Sequence, residues 1–160
     1  MFNEIKLKNS EVLNAAILGS IRNIQSWKQA VDKHGANTEK DGWQLNIMAC
    51  LSEMAWAKLL NLYYNASIGN YQDADVNGYY QLRSSSIAYR HNACLRIHKA
   101  DDDDKPYILS LVGVNQVIFP GWLWGYEGKK DQYWCDKWGV GRPAFFIDQS
   151  NLKPIDELIN

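Results

Sequence analysis

The chain has 160 residues and a mass of 18.4 kDa, enough for one hydrophobic core that removes roughly 70% of the unfolded surface from water. Its 46% hydrophobic and 22% charged residues exclude a disordered segment, and a net charge of -1 excludes a generally basic nucleic-acid coat, leaving only a local patch. The three cysteines, Cys50, Cys94 and Cys135, lie far apart without C-x-x-C spacing, which argues against a disulfide framework or a structural zinc site. No apolar run approaches the roughly 20 residues needed to span a bilayer, and Met1 to Lys6 carries no apolar h-region, so the expected location is a reducing cytoplasm with no membrane partner.

The first predicted element is a helix from Ser10 to Lys33, with Val12, Ala15, Leu18, Ile21, Ile24, Trp27 and Val31 at helical spacing and Ser10 as its N-cap. His34-Gly35 ends it, and a more apolar helix follows over about Trp43 to Tyr63. After Gly69-Asn70 short aromatic and β-branched segments alternate with turn residues, so the remainder reads as sheet. Asn77-Gly78 predicts a type I′ hairpin joining Asp73–Val76 to Tyr79–Ser86. Further strands are expected at Ala93–His98, Tyr107–Val114 (the central one) and Val117–Trp124, the last broken by Pro120-Gly121. A short helix over Asp131–Trp138, a strand at Ala144–Ile147 and a last helical turn from Pro154 complete the reading. The expectation is a single α+β domain over residues 1–160, helical over 10–63, sheet-rich over 71–148 and helical again over 154–159. Its N-terminal helices pack on a central mixed or antiparallel sheet.

Three acids fall where a metal site can be built: Glu53 on the second helix, then Asp73 and Asp75 before the hairpin. Residues two apart on a strand share a face, which pairs Asp73 with Asp75 and Gln81 with Arg83. Phosphodiester hydrolysis needs hard divalent cations on oxygen ligands, an oriented water, and positive charge facing the developing oxyanions. Glu53 and Asp75 supply carboxylates, Gln81 a neutral carbonyl, and Arg83 a charge that stays protonated. From Arg83 to Lys99 the chain has Arg83, Arg90, Arg96 and Lys99 but no acid, the one basic stretch that can serve as a nucleic-acid contact.

Glu53-Met-Ala-Trp-Ala-Lys58-Leu-Leu-Asn followed by Asp75-Val-Asn-Gly-Tyr-Tyr-Gln81-Leu-Arg83 resembles the small phage-type PD-(D/E)XK nuclease-like proteins. The basic strand, the acidic turn, Tyr107-Ile-Leu-Ser-Leu-Val, Gly121-Trp122 and the tail from Pro143 to Leu152 extend the likeness over roughly Leu18 to Leu158. The resemblance implies a restriction-endonuclease-like core with Glu53 and Asp75 as ligands of Mg²⁺ or Mn²⁺ and Asp73 as an auxiliary ligand. It also implies Gln81 in the second acidic position and Arg83 in the lysine position. Glutamine for an acid and arginine for lysine both depart from the D…(D/E)-x-K pattern, which opens two readings: a nuclease acting on DNA, or a catalytically inactive relative that grips nucleic acid or a host protein, as a counter-defence protein would.

Each residue also has a plainer reading. Glu53 can be a solvated helical glutamate, although its phasing with Ala49, Ala57 and Leu60 predicts partial burial, which is costly without a compensating cation. Asp73 and Asp75 can simply begin a turn, and Arg83 can pair with Asp75 across the hairpin. Asp101 to Asp104 reads as a solvated turn, and the three histidines show no ligand spacing. Trp122, Trp124, Trp134 and Trp138 read mainly as core, with base stacking or a homodimer interface as rivals.

Overall fold

The computed structural model describes residues 3–28, 42–66 and 75–160. The element order is strand β1 (Asn3–Lys6), helices α1 (Asn9–Lys28) and α2 (Gly42–Leu59), and strands β2 (Gln81–Ser86), β3 (Cys94–Ile97), β4 (Pro106–Val112) and β5 (Gln116–Trp124). Helix α3 (Gly125–Gly128), strands β6 (Trp134–Cys135) and β7 (Ala144–Asp148) and helix α4 (Asp156–Ile159) follow. The architecture is α+β, with helices packed on mixed and antiparallel sheet.

The strands form two sheets where the sequence led us to expect one. The larger has the order β1-β5-β4-β2, antiparallel except for the parallel pair β2 and β4; the smaller has the order β3-β7-β6 and is antiparallel throughout. β4 is central and buried along its whole length, as a continuous Pro-Tyr-Ile-Leu-Ser-Leu-Val run requires when both faces are covered. On one face Ile108 and Val112 join Leu82, Phe119 and Trp122 against Leu51, Ala55 and Trp56 of α2. On the other, Tyr107, Leu109 and Leu111 meet Leu95 and Ile97 of β3 and Phe145 and Ile147 of β7. The chain is thus layered helices, large sheet, small sheet.

Pro120 does not break β5. The register shifts so that Gly121 faces Leu109 while Ile118 faces Leu111, three β5 residues spanning two of β4. The bulge accommodates a residue with no N–H and resets the alternation, so Val117 and Phe119 before it and Trp122 after it all face the helices.

Helix α2 ends earlier than Tyr63. Asn61 turns left-handed at φ 53°, its N–H meets the Lys58 carbonyl at 3.2 Å, and the Leu62 N–H meets Ala57 at 2.8 Å. This paired closure satisfies carbonyls that the last turn leaves open. The predicted stretch of the first helix beyond Lys28 lies outside the described residues. α1 and α2 approach closely at Gly19, where a Cβ would stand 2.6 Å from the Ile47 Cα.

Asn77 and Gly78 take φ of 54° and 65°, and Val76 bridges Tyr80 in antiparallel sense, so the expected turn is present. The strand before it is reduced to that one bridge among the described residues, and β2 takes a parallel partner instead. The predicted helix over Asp131–Trp138 is a single 3-10 turn, Asp131–Tyr133, followed by β6. Of the four C-terminal tryptophans, Trp122 is buried, whereas Trp134 and Trp138 are exposed and lean on Phe145 and Phe146. Strand β1 and helix α3 have no counterpart in the sequence reading.

Candidate functional site

Glu53 reaches the interior because its neighbour anchors the helix: Ser52 Oγ lies 2.6 Å from Ser110 Oγ of β4. Glu53 is only 4% exposed. The compensating cation that such burial requires is Arg22 of α1, which donates from Nη1 to Oε1 at 2.7 Å and from Nη2 to Oε2 at 2.8 Å. Tyr64, just beyond α2, donates its hydroxyl to Oε2 at 2.7 Å. A planar fork matched to a carboxylate is the geometry in which a buried ion pair recovers its desolvation cost. Burial, reinforced by the Glu53 charge, holds the Tyr64 hydroxyl well above the usual tyrosine range. Cys50, one turn earlier on α2, is raised by burial and by Glu53 against the opposing pull of Arg22.

Asp75 arrives from the other side. β2 is an edge strand, and Asp75 Oδ2 accepts the Leu82 N–H at 2.6 Å. Its carboxyl is pushed up to about 6, first by burial and then by the negative charge of Glu53, with Arg83, the Leu82 N–H and Arg22 pulling the other way. The Glu53 charge is thus felt at Asp75, although Arg22 and Tyr64 hold both Glu53 oxygens.

Gln81 and Arg83 share a face, but it is the face turned from the helices. They are in register with Tyr107 and Leu109, and the Arg83 guanidinium lies 5.0 Å from the centre of the Tyr107 ring. Arg83 does not pair with Asp75. Its Nη2 donates to Asp101 Oδ2 at 2.9 Å and its Nη1 to Gln81 Oε1 at 3.3 Å, while its Nε is buried with no hydrogen-bond partner. Asp101 also accepts the His98 N–H at 2.8 Å, and Asp103 pairs with Lys129 at 2.6 Å, so the acidic turn is partly built into the fold and is not merely solvated. Asp73 lies outside the described residues.

The basic stretch is dispersed by the fold. Arg96 on β3 has its pKa lowered by burial and then by Arg83, whereas Lys99 is exposed. Arg90, in the turn after β2, opens with His91, Lys137 and Gln149 onto a cleft of about 980 Å³ floored by Leu111 and Ile118.

Sequence reasoning missed Arg22 and Tyr64. Arg22 did carry a signal: it is the one charged residue between Glu11 and Lys28 in an otherwise uncharged helical run. Tyr64 carried none, since only the turn at Asn61 brings it back under α2.

Among the described residues no group of three or more His, Cys, Asp or Glu side chains converges as a metal cluster. Glu53 and Asp75 are oxygen donors of the kind that holds Mg²⁺ together with waters, but Arg22 and Tyr64 engage both Glu53 oxygens and the Leu82 N–H engages Asp75 Oδ2, so an ion would have to share or displace these partners. No helix among the described residues is long and apolar enough to cross a membrane. No family model, curated protein or solved structure matches this chain.

Proposed function

We propose that this chain is a phage-type PD-(D/E)XK nuclease-like protein with a restriction-endonuclease-like core, acting on DNA with Mg²⁺ or Mn²⁺. The observation that carries the reading is a glutamate only 4% exposed on α2 together with Asp75, whose carboxyl is pushed up to about 6 first by burial and then by the Glu53 charge. A perturbed carboxyl of this kind marks a candidate functional site. The likeness of the Glu53–Lys58 and Asp75–Arg83 segments to that group, and the passage from α2 through the Asn77-Gly78 turn into a mixed sheet, support the same reading.

Glu53 and Asp75 hold the ion, with Asp73 as auxiliary; bound there, the ion supplies Lewis-acid activation of water and charge neutralisation at the scissile phosphate. Gln81 and Arg83 stand on the face of β2 opposite Glu53 and do not line the ion; Arg83, which remains protonated, would reach phosphate from that face once released from Asp101. Arg90 and Lys99, both exposed, would add contacts to the nucleic-acid backbone, whereas Arg96 is half-buried.

A second reading is favoured by one specific feature. Both Glu53 oxygens are engaged by the Arg22 fork, and Arg83 is held by Asp101, so internal cations already balance the site. On this reading the chain keeps the fold without the chemistry and binds nucleic acid or a host protein, as a counter-defence protein would.

Isothermal titration of Mg²⁺ and Mn²⁺ into wild type and Asp75→Ala, followed by incubation of both with single- and double-stranded DNA, separates the two. Saturable binding and cleavage that both vanish in Asp75→Ala are expected of the nuclease. DNA left intact and no ion binding in wild type defeat it and leave the binding module.

A further inference from the structure

The outward face of α1 presents Leu13, Ile17, Ile21 and Ile24, which are 60%, 53%, 37% and 42% exposed. Their spacing of four, four and three residues places them in one stripe along the helix. The stripe is free of charge. Between Leu13 and Gln25 the single charged side chain is Arg22, and it is turned inward onto Glu53. At the head of the helix Glu11 is tied to Lys58 at 2.8 Å. The flanking hydroxyls of Ser20 and Ser26 donate to the helix's own Ala16 and Asn23 carbonyls at 2.8 and 2.7 Å, so they make no demand on water.

We infer that this face is the seat of a second copy of the same chain, paired helix to helix through antiparallel α1 segments. The stripe is nearly symmetric about its midpoint. A two-fold axis at the level of residue 19, on the side of the helix away from the contact of Gly19 with Ile47, sets Ile17 of one protomer against Ile21 of its partner and Leu13 against Ile24, so an identical surface completes both sides. The four aliphatic side chains expose roughly 350 Å² per copy, at the scale of the largest apolar patch a monomer shows. With the uncharged flanks of Asn14, Ala16, Ser20 and Gln25, of which only Asn14 is exposed, the face stays below the ~800 Å² per partner of a standard interface and has the size of a weak, concentration-dependent one. A bilayer surface is a poorer occupant, because interfacial helices flank their apolar stripe with Lys and Arg, whereas between Leu13 and Gln25 the one cation, Arg22, is turned inward onto Glu53. A charged partner gains nothing from a face without charge. This interface is unrelated to the exposed C-terminal tryptophans, and it does not depend on whether the Glu53–Asp75 site cleaves DNA.

Sedimentation velocity on the full chain, from about 1 to about 200 μM, is expected to give twice the 18.4 kDa chain mass. Ile17→Glu and Ile21→Lys, each placing a charge in the centre of the seam, are expected to weaken self-association by at least ~100-fold with the near-ultraviolet circular dichroism unchanged. Mixing the two variants is expected to restore the dimer, since each introduced charge then meets its opposite. If either variant fails to fold, the pair Leu13→Lys and Ile24→Glu, which face each other in the same register, takes their place in both the weakening and the mixing test. A wild type that stays monomeric to 200 μM, a dimer indifferent to these substitutions, or a mixture that remains monomeric overturns the inference.

Discussion

Replacing Arg22 with methionine keeps the length of the side chain and removes the charge that balances Glu53. Glu53 is 4% exposed and loses both of its guanidinium hydrogen bonds, leaving it buried with the Tyr64 hydroxyl as its one side-chain donor among the described residues. Removing one partner of a buried ion pair costs about 3–5 kcal/mol. At roughly 2–4 °C per kcal/mol for a chain of this size, the melting temperature should fall by about 10 °C at pH 8. The deficit should shrink toward pH 4. Arg22 is one of the groups that hold Asp75 down, so without it Asp75 rises further, and a carboxyl that takes up a proton in the fold relieves the repulsion. Arg22→Met/Glu53→Leu, which removes both charges, should recover most of the loss. Thermal melts of wild type, both single variants and the double variant across this pH range give the coupling directly. An Arg22→Met protein melting within about 2 °C of wild type, or a double variant no more stable than the single, would refute the assignment of this pair as the electrostatic centre.

Asp75→Asn should stabilise the fold above pH 6 and leave it unchanged near pH 4. The folded-state value of about 6 lies above the ordinary 3.8 of an aspartate, so the native state holds this proton more tightly and stability falls as pH rises between those values, by up to about 3 kcal/mol. A melt at pH 8 checks the sign, and a lower melting temperature there contradicts it. Millimolar Mg²⁺ should raise the melting temperature of wild type at pH 8 but not that of Asp75→Asn, and equal shifts in both would place the ion elsewhere. Gly125→Ala should be among the most damaging single substitutions in the chain, because its Cβ would stand 2.1 Å from the Asp102 carbonyl oxygen. Loss of soluble protein or a melting temperature more than about 8 °C lower is expected, and a neutral effect would show that the acidic turn can lift off. Asp101→Asn should free Arg83 and, on the nuclease reading, tighten DNA binding measurably at low salt; unchanged affinity would remove Arg83 from the phosphate-binding set.

The elements that read correctly from sequence are those whose local chemistry and burial agree. The continuous apolar run around Tyr107 to Val112 announces a strand covered on both faces, and Asn77-Gly78 announces its turn because few residue pairs accept positive φ twice. The ends of α2 and the integrity of β5 were misjudged for the same reason. Tyr63 extends the helical pattern, but a left-handed Asn61 closes the helix first, and Pro120 looks like a strand break until a bulge in pairing with β4 absorbs it. The acidic turn looked solvated because Arg83 and Lys129, its partners, lie 18 and 26 residues away.

For the site, the sequence by itself determined only a condition: a glutamate phased with Ala49, Ala57 and Leu60 is either solvated or, if that face packs on the sheet, buried and in need of a cation. Only the tertiary structure decided which cation answers. α1 packs on α2 closely enough at Gly19 for Arg22, 31 residues away, to reach both carboxylate oxygens. It also decided that Gln81 and Arg83, two apart and therefore on one face as the strand period demands, face away from Glu53. Period fixes which residues share a face, but which layer covers that face depends on the pairing of β2 with β4 and on the helices and second sheet that sandwich them, contacts that no local pattern encodes.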